Sequence, residues 1–174
     1  MNSTAVILLL RLFHIGTGVF WVGGILIFAR FLFPTVLALG PAAGPVMDHM
    51  NRVLKLPNSL IGAAVVNILS GFLLYWRDSA GFQGAWMSSG TGMTFGTGGV
   101  FAILALVIGL SVNAPTAKQL GALGAAIHAK GGPPSPDQAA EMQRLQKRLG
   151  VALRAIAILL VLATAAMALA RYIG

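Results

Sequence analysis

Four apolar stretches, near residues 12–29, 57–76, 95–114 and 155–170, constrain this chain more than any other feature. Each is close to the roughly 20 residues that a tilted helix needs to cross the hydrocarbon of a bilayer. A chain that is 57% hydrophobic and only 9% charged belongs among membrane proteins before any motif is read. The expected fold is all-α: a four-helix transmembrane bundle forming a single domain over residues 1–174, with nothing left over for a soluble unit. The lipid bilayer is then the first partner of the chain.

The charges orient that bundle. The net charge is +8, yet the cations are not spread evenly. Arg30, Arg52, Lys55, Lys118, Lys130, Arg144, Lys147, Arg148 and Arg154 fall at one set of helix ends and loops, against Arg11, Arg77 and Arg171 at the other. An excess of Lys and Arg marks the cytoplasmic side. Both termini and the 77–92 loop are therefore expected to be extracytoplasmic, in a multi-pass membrane protein. No basic patch is interleaved with exposed aromatics, so the basicity speaks for anionic headgroups and against nucleic acid. The absence of cysteine removes disulfides, thiolate metal sites and Cys nucleophiles together. Met1-Asn2-Ser3-Thr4 carries no basic region and no cleavage site follows the apolar run, so helix 1 is expected to be retained.

The helices are expected to outrun the membrane. Helix 1 reads from Thr4 to Leu39 with a kink at Pro34, and helix 2 from Gly44-Pro45 to Trp76 with a bend at Pro57. Helix 3 reads from Met93 to Lys130 with a bend at Pro115. Helix 4 has the clearest start: Ser135 at the N-cap, Pro136 at the first helical position, Asp137 in the first turn and Gln138 completing a capping box. Leu120, Leu123 and Ile127 then face Met142, Leu145 and Leu149 with helical spacing, which extends helices 3 and 4 as a cytoplasmic hairpin. Gly92 and Gly96, and the looser series Ala155, Ala163, Ala166 and Ala170, offer small-residue faces for close packing. Trp76, Phe82 and Trp86 read as interfacial anchors.

Chemistry is sparser. His14 lies inside the first span, one heptad before Trp21, with Thr17 and Gly18 between them on nearly the same stripe. An ionisable side chain within a bilayer helix is costly and marks either a functional site or a polar partner. One reading makes His14 a hydrogen-bonded interface residue. The other makes it an axial haem ligand or a copper ligand, because imidazole suits both metals. A six-coordinate haem needs a second ligand: Met167 on helix 4 lies at a matching depth, Met93 is another candidate, and His14 of a second copy is a third. Asn67 and Ser70 are expected to hydrogen-bond between helices. His49 and His128 are read as solvated surface residues. With four acidic residues and none in a span, a carboxylate proton relay is disfavoured. The absence of a phosphate loop or nucleophile elbow disfavours hydrolysis.

His14, Trp21, Gly23 and Gly24, followed by Arg52-Val-Leu-Lys55-Leu-Pro57 and Ile68-Leu-Ser-Gly71-Phe-Leu-Leu, resemble the CopD-like and HemJ-like superfamily of bacterial integral-membrane proteins over roughly the first 75 residues. The HemJ-like branch implies haem b held by the helix 1 histidine and a redox role; the CopD-like branch implies copper handling. Three expectations stay open. The first is haem b binding through His14, with Thr17, Gly18, Trp21 and Met167 around it. The second is copper handling through His14, Met87, Met93 and Met167. The third is a non-catalytic subunit, homodimeric or docked into a larger membrane complex.

Overall fold

A computed structural model describes residues 4–173, and Met1-Asn2-Ser3, on which the expectation of a retained first helix partly rests, lie outside the described residues. The described chain is helical and contains no strand. Helix α1 (Thr4–Ile27) passes through a π-helical turn (Phe28–Leu32) into α2 (Phe33–Leu39), and a 3₁₀ turn (Gly40–Ala43) leads to α3 (Gly44–Asp48). A second π turn (His49–Val53) precedes α4 (Leu56–Asp78). After the short α5 (Gly84–Met87), α6 (Gly90–Ile108) runs through a third π turn (Gly109–Asn113) into α7 (Ala114–Ala129). The long α8 (Pro136–Leu169) ends in a 3₁₀ turn (Ala170–Tyr172).

Each π turn stands just before a proline, and the reason is local. Proline has no N–H and its ring collides with the carbonyl four residues back. For Pro34 and Pro115 that carbonyl belongs to Arg30 and Ser111, each inside a π turn where the ladder is widened. At Pro34 and Pro115 the helix continues through the widened turn. Pro57 does not bend helix 2 as expected; it starts α4 afresh, because Lys55 takes a left-handed conformation (φ 51°) that ends the preceding helix. Residues 44–53 are thus a separate segment, continuous with helix 1.

Four helical stretches are long and apolar enough to cross a membrane, and the chain is an integral membrane protein on that ground. Its outward faces carry Leu12, Ile15, Val19, Leu69, Ile158 and many other exposed large apolar side chains, far more than a soluble monomer leaves in water. The spans pair as α1 with α4 and α6 with α8, and α4/α6 and α1/α8 contacts close the bundle. Its centre is a cluster that includes Trp21, Ile25, Ala64, Ala102, Ala105, Leu153, Ile156, Leu160 and Ala163.

The capping box of α8 is present in both directions, with Gln138 N–H donating to Ser135 Oγ (3.3 Å) and Ser135 N–H to Gln138 Oε1 (3.0 Å). Helix α7 packs along α8, where Leu145 and Leu149 are buried and Leu120, Leu123, Ile127 and Met142 are half-buried, as the hairpin requires. On its outer surface Arg144 donates two hydrogen bonds to Glu141 (2.7 and 2.6 Å), and this bonding holds the Glu141 carboxyl below its ordinary range.

Small residues act at positions that spacing alone does not single out. Gly96 faces the Tyr75 hydroxyl and Gly92 sits under the backbone of Trp86, so this GxxxG pair serves α4 and the α5 loop. It is Gly98 that admits α8: a Cβ there would meet Met167 Cε at 3.0 Å, Ala166 Cβ at 3.1 Å and the Ala163 carbonyl at 3.3 Å. Tyr75 stacks edge-on against Trp86 (5.2 Å between centroids) and gives its hydroxyl to the Gly92 carbonyl (3.2 Å), which ties the 77–92 loop to α4.

Candidate functional site

Two reciprocal hydrogen bonds join α1 to α4 around His14. The Asn67 carbonyl lies 2.8 Å from His14 Nδ1, and the Asn67 side-chain Nδ2 donates to the His14 carbonyl at 2.6 Å. A carbonyl oxygen only accepts, so Nδ1 must be the protonated nitrogen of the ring. In the neutral ring Nε2 is then the nitrogen that carries the lone pair, and among the described residues it takes no hydrogen bond. The same Asn67 carbonyl accepts from Ser70 Oγ (3.0 Å), which also bonds to the Val66 carbonyl (2.6 Å). Ser70 therefore buttresses α4 from within, whereas Asn67 bridges the helices.

Glycines make this approach feasible. A Cβ on Gly71 would stand 2.7 Å from His14 Cε1 and 3.0 Å from Nδ1, and one on Gly18 would stand 2.8 Å from Asn67 Nδ2. Each large polar side chain thus rests on a glycine of the opposite helix. Four residues forward along α1, from His14 to Gly18, correspond to four residues back along α4, from Gly71 to Asn67. The same antiparallel register places Trp21 opposite Ala64, both buried in the central cluster, and carries on to Gly24, where a Cβ would meet Leu60 at 2.7 Å. Large and small residues alternate between the helices down the whole interface. The spacing from His14 to Trp21 and the glycines is, in the first place, the imprint of that register.

The other candidates are placed as follows. Thr17 turns its hydroxyl back to the Phe13 carbonyl (2.6 Å) and satisfies itself within α1. Gly18 is covered by the Asn67 amide, and Trp21 is 4% exposed in the bundle centre. Met167 packs on Gly98 in the α6/α8 pair, and Met93 is largely exposed near the start of α6. Hence His14, Gly18 and Trp21 share one face of α1, as their spacing predicts, while the methionines belong to other surfaces. His49 and His128 are both exposed. Among the described residues no group of three His, Cys, Asp or Glu side chains is gathered as a metal cage.

Asn67 is the residue whose role the sequence only half revealed. A polar side chain in a span predicts an interhelical bond, but nothing in the spacing shows that its partner is the histidine. Gly71 carries still less signal, since glycines recur throughout the spans.

The donor set can be tested against the chemistry of an imidazole ligand. Metal-bound histidines usually give their second ring N–H to a carbonyl or carboxylate, which fixes tautomer and orientation and raises ligand basicity. His14 meets that requirement through the Asn67 carbonyl. The residues fit a single imidazole ligand to a haem iron or to copper. No family model, no curated protein and no solved structure matches the chain.

Proposed function

We propose that this integral membrane protein binds haem b through His14 Nε2 and serves a one-electron step in the membrane. The observation that carries the proposal is the His14 Nδ1 bond to the Asn67 carbonyl, which orients the ring and makes Nε2 the nitrogen available to a metal. Bound haem supplies reversible one-electron transfer, with its potential tuned by the axial ligand and its surroundings. The chain's own residues do the rest. Asn67 and Gly71 hold the imidazole in one orientation, Gly18 lets the Asn67 amide close over the helix, and Trp21 fixes the register that keeps these levels aligned. The resemblance of helix 1 to the HemJ-like branch points the same way and implies a bacterial inner membrane, while the Lys/Arg asymmetry supports both termini outside.

The test is spectroscopic. Detergent-purified protein should show reduced-minus-oxidised haem b bands with near-stoichiometric iron, and His14→Ala should remove both. Met167→Leu and Met93→Leu, recorded in the same way, report whether either thioether is the second ligand: a replaced axial ligand shifts the bands, whereas a packing residue leaves them unchanged. Retention of iron by His14→Ala sinks the proposal.

A further inference from the structure

At the end of the bundle where the cations collect, an open groove of about 480 Å³ lies between α8 and the end of α6 with its π turn. Its walls are Ile108 and Val112 on one side and Arg144, Lys147, Arg148, Val151, Ala152 and Ala155 on the other. The α8 residues are spaced three and four apart, so they form one stripe of the helix. The stripe changes character along its length. Arg144, Lys147 and Arg148 head it, and Val151, Ala152 and Ala155 continue it toward the apolar span that begins near residue 155. From Arg144 to Ala155 the helix rises roughly 16 Å at ~1.5 Å per residue.

The cations are unequally engaged. Arg144 is paired with Glu141 at 2.6 Å. Lys147 and Arg148 form no ion pair with the described residues. Two free cations at the mouth of an apolar groove, at the level where the span meets water, match an amphiphile with an anionic head and a hydrocarbon tail. A nucleic acid or an acidic protein segment would use the cations and leave the apolar half uncovered.

We propose that this groove is a binding site for one anionic phospholipid. The phosphodiester lies between Lys147 and Arg148, and the upper part of an acyl chain lies along Val112, Val151 and Ala155. The site is remote from His14 and is independent of haem binding. It gives the α6/α8 pair a fixed depth in the membrane, because basic groups between membrane helices attract anionic headgroups and lose that attraction within a Debye length of the surface.

Native mass spectrometry of the delipidated full chain, titrated separately with phosphatidylglycerol and with phosphatidylcholine of the same acyl chains, tests this. The wild type should bind the first at least tenfold more tightly. Removing one cation near a membrane surface weakens binding about fivefold, so Lys147→Gln/Arg148→Gln should lose most of the preference. The control pair Arg52→Gln/Lys55→Gln, on the α3–α4 segment, should change it less than twofold. Val151→Trp alters no charge at an exposed position and should weaken binding of both lipids by obstructing the groove. Equal binding of the two lipids, an unchanged preference in the Lys147/Arg148 double variant, or full displacement by millimolar inorganic phosphate would each overturn the proposal. The last result would assign the cations to a free anion instead.

Discussion

The α1/α4 and α6/α8 pairs are both antiparallel and both bring a glycine to the contact, yet different forces close them. At α1/α4 the glycines receive polar groups: Gly71 lies under the His14 ring and Gly18 under the Asn67 amide, with two hydrogen bonds crossing the interface. At α6/α8 Gly98 receives Met167, Ala166 and the Ala163 backbone, and the neighbouring levels are Ala102, Ala105, Ile156 and Leu160. Lipid tails are as apolar as leucine, so neither pair is driven together by the hydrophobic effect; packing and interhelical hydrogen bonds remain. Among the described residues the second pair uses packing alone between the helices themselves, with one hydrogen bond, Thr91 Oγ1 to the Ile173 carbonyl (3.1 Å), just past the end of α8. The first adds directional bonds, and with them a fixed orientation for a single imidazole. A polar interface in a membrane is therefore a positioning device first and a source of stability second.

That comparison is sharpest where it predicts the largest effect. Gly71→Leu forces a side chain into the space of the His14 ring, 2.7 Å from Cε1, and the ring and the α4 backbone are both rigid. Overpacking costs about 1–3 kcal/mol before the lost hydrogen bond is counted, so this variant should be the most destabilised in an unfolding titration in mixed detergent micelles. Gly98→Leu should cost less, about 1–2 kcal/mol, because its contacts are longer (Met167 Cε 3.0 Å, Ala166 Cβ 3.1 Å, the Ala163 carbonyl 3.3 Å) and no interhelical hydrogen bond is lost with them. A larger loss at Gly98 than at Gly71 would reverse the comparison.

Next comes Asn67→Leu. It removes the amide donor to the His14 carbonyl but keeps the Asn67 backbone carbonyl that holds Nδ1. Interhelical hydrogen bonds in membranes contribute about 0.6 kcal/mol on average and about 1.7 at most, so a loss in that range is expected. Haem, where bound, should stay. Loss of the haem bands in Asn67→Leu without loss of fold would show that the amide, and not the carbonyl, orients the ring.

The smallest effect has the opposite sign. Thr116 is buried to 1% exposure and its Oγ1 has no hydrogen-bond partner among the described residues, as is also true of the buried Asn113 Oδ1 one turn earlier. A buried hydroxyl without a partner carries its full desolvation cost. Thr116→Val, nearly the same shape, should stabilise the bundle by about 1 kcal/mol. A destabilised Thr116→Val would mean that the hydroxyl is satisfied in the membrane by a group such as water.

Much of the architecture was legible in the sequence because membrane physics leaves few alternatives. The four spans, the capping box at Ser135 and the packing of Leu145 and Leu149 in the hairpin all follow from local signals. Pro57 does not bend its helix because the chain is broken two residues earlier, by the backbone of Lys55, a residue with no special propensity for a left-handed turn. The pairing of Gly98 with Ala163 and Ala166 escaped for a related reason. Spacing within one helix shows that small residues are present, but the register against the partner decides which ones touch. The candidate site divides in the same way. His14, Gly18 and Trp21 are visible as a stripe, whereas Asn67 and Gly71 acquire meaning only when α4 is laid against α1, more than fifty residues away.

His14→Ala is a clean probe for a structural reason. The Asn67 carbonyl keeps its bond from Ser70 when the imidazole is removed, so no buried acceptor is left stranded and the bundle should stay folded. The decisive measurement is the reduced-minus-oxidised visible spectrum, with iron content, of wild type and His14→Ala purified side by side. Haem b bands and near-stoichiometric iron in the wild type, both absent from a folded His14→Ala, are the predicted result. An iron-free, colourless wild type, or a variant that keeps its haem, would contradict the account, and the copper content of the same sample would then separate a copper ligand from a helix-packing residue.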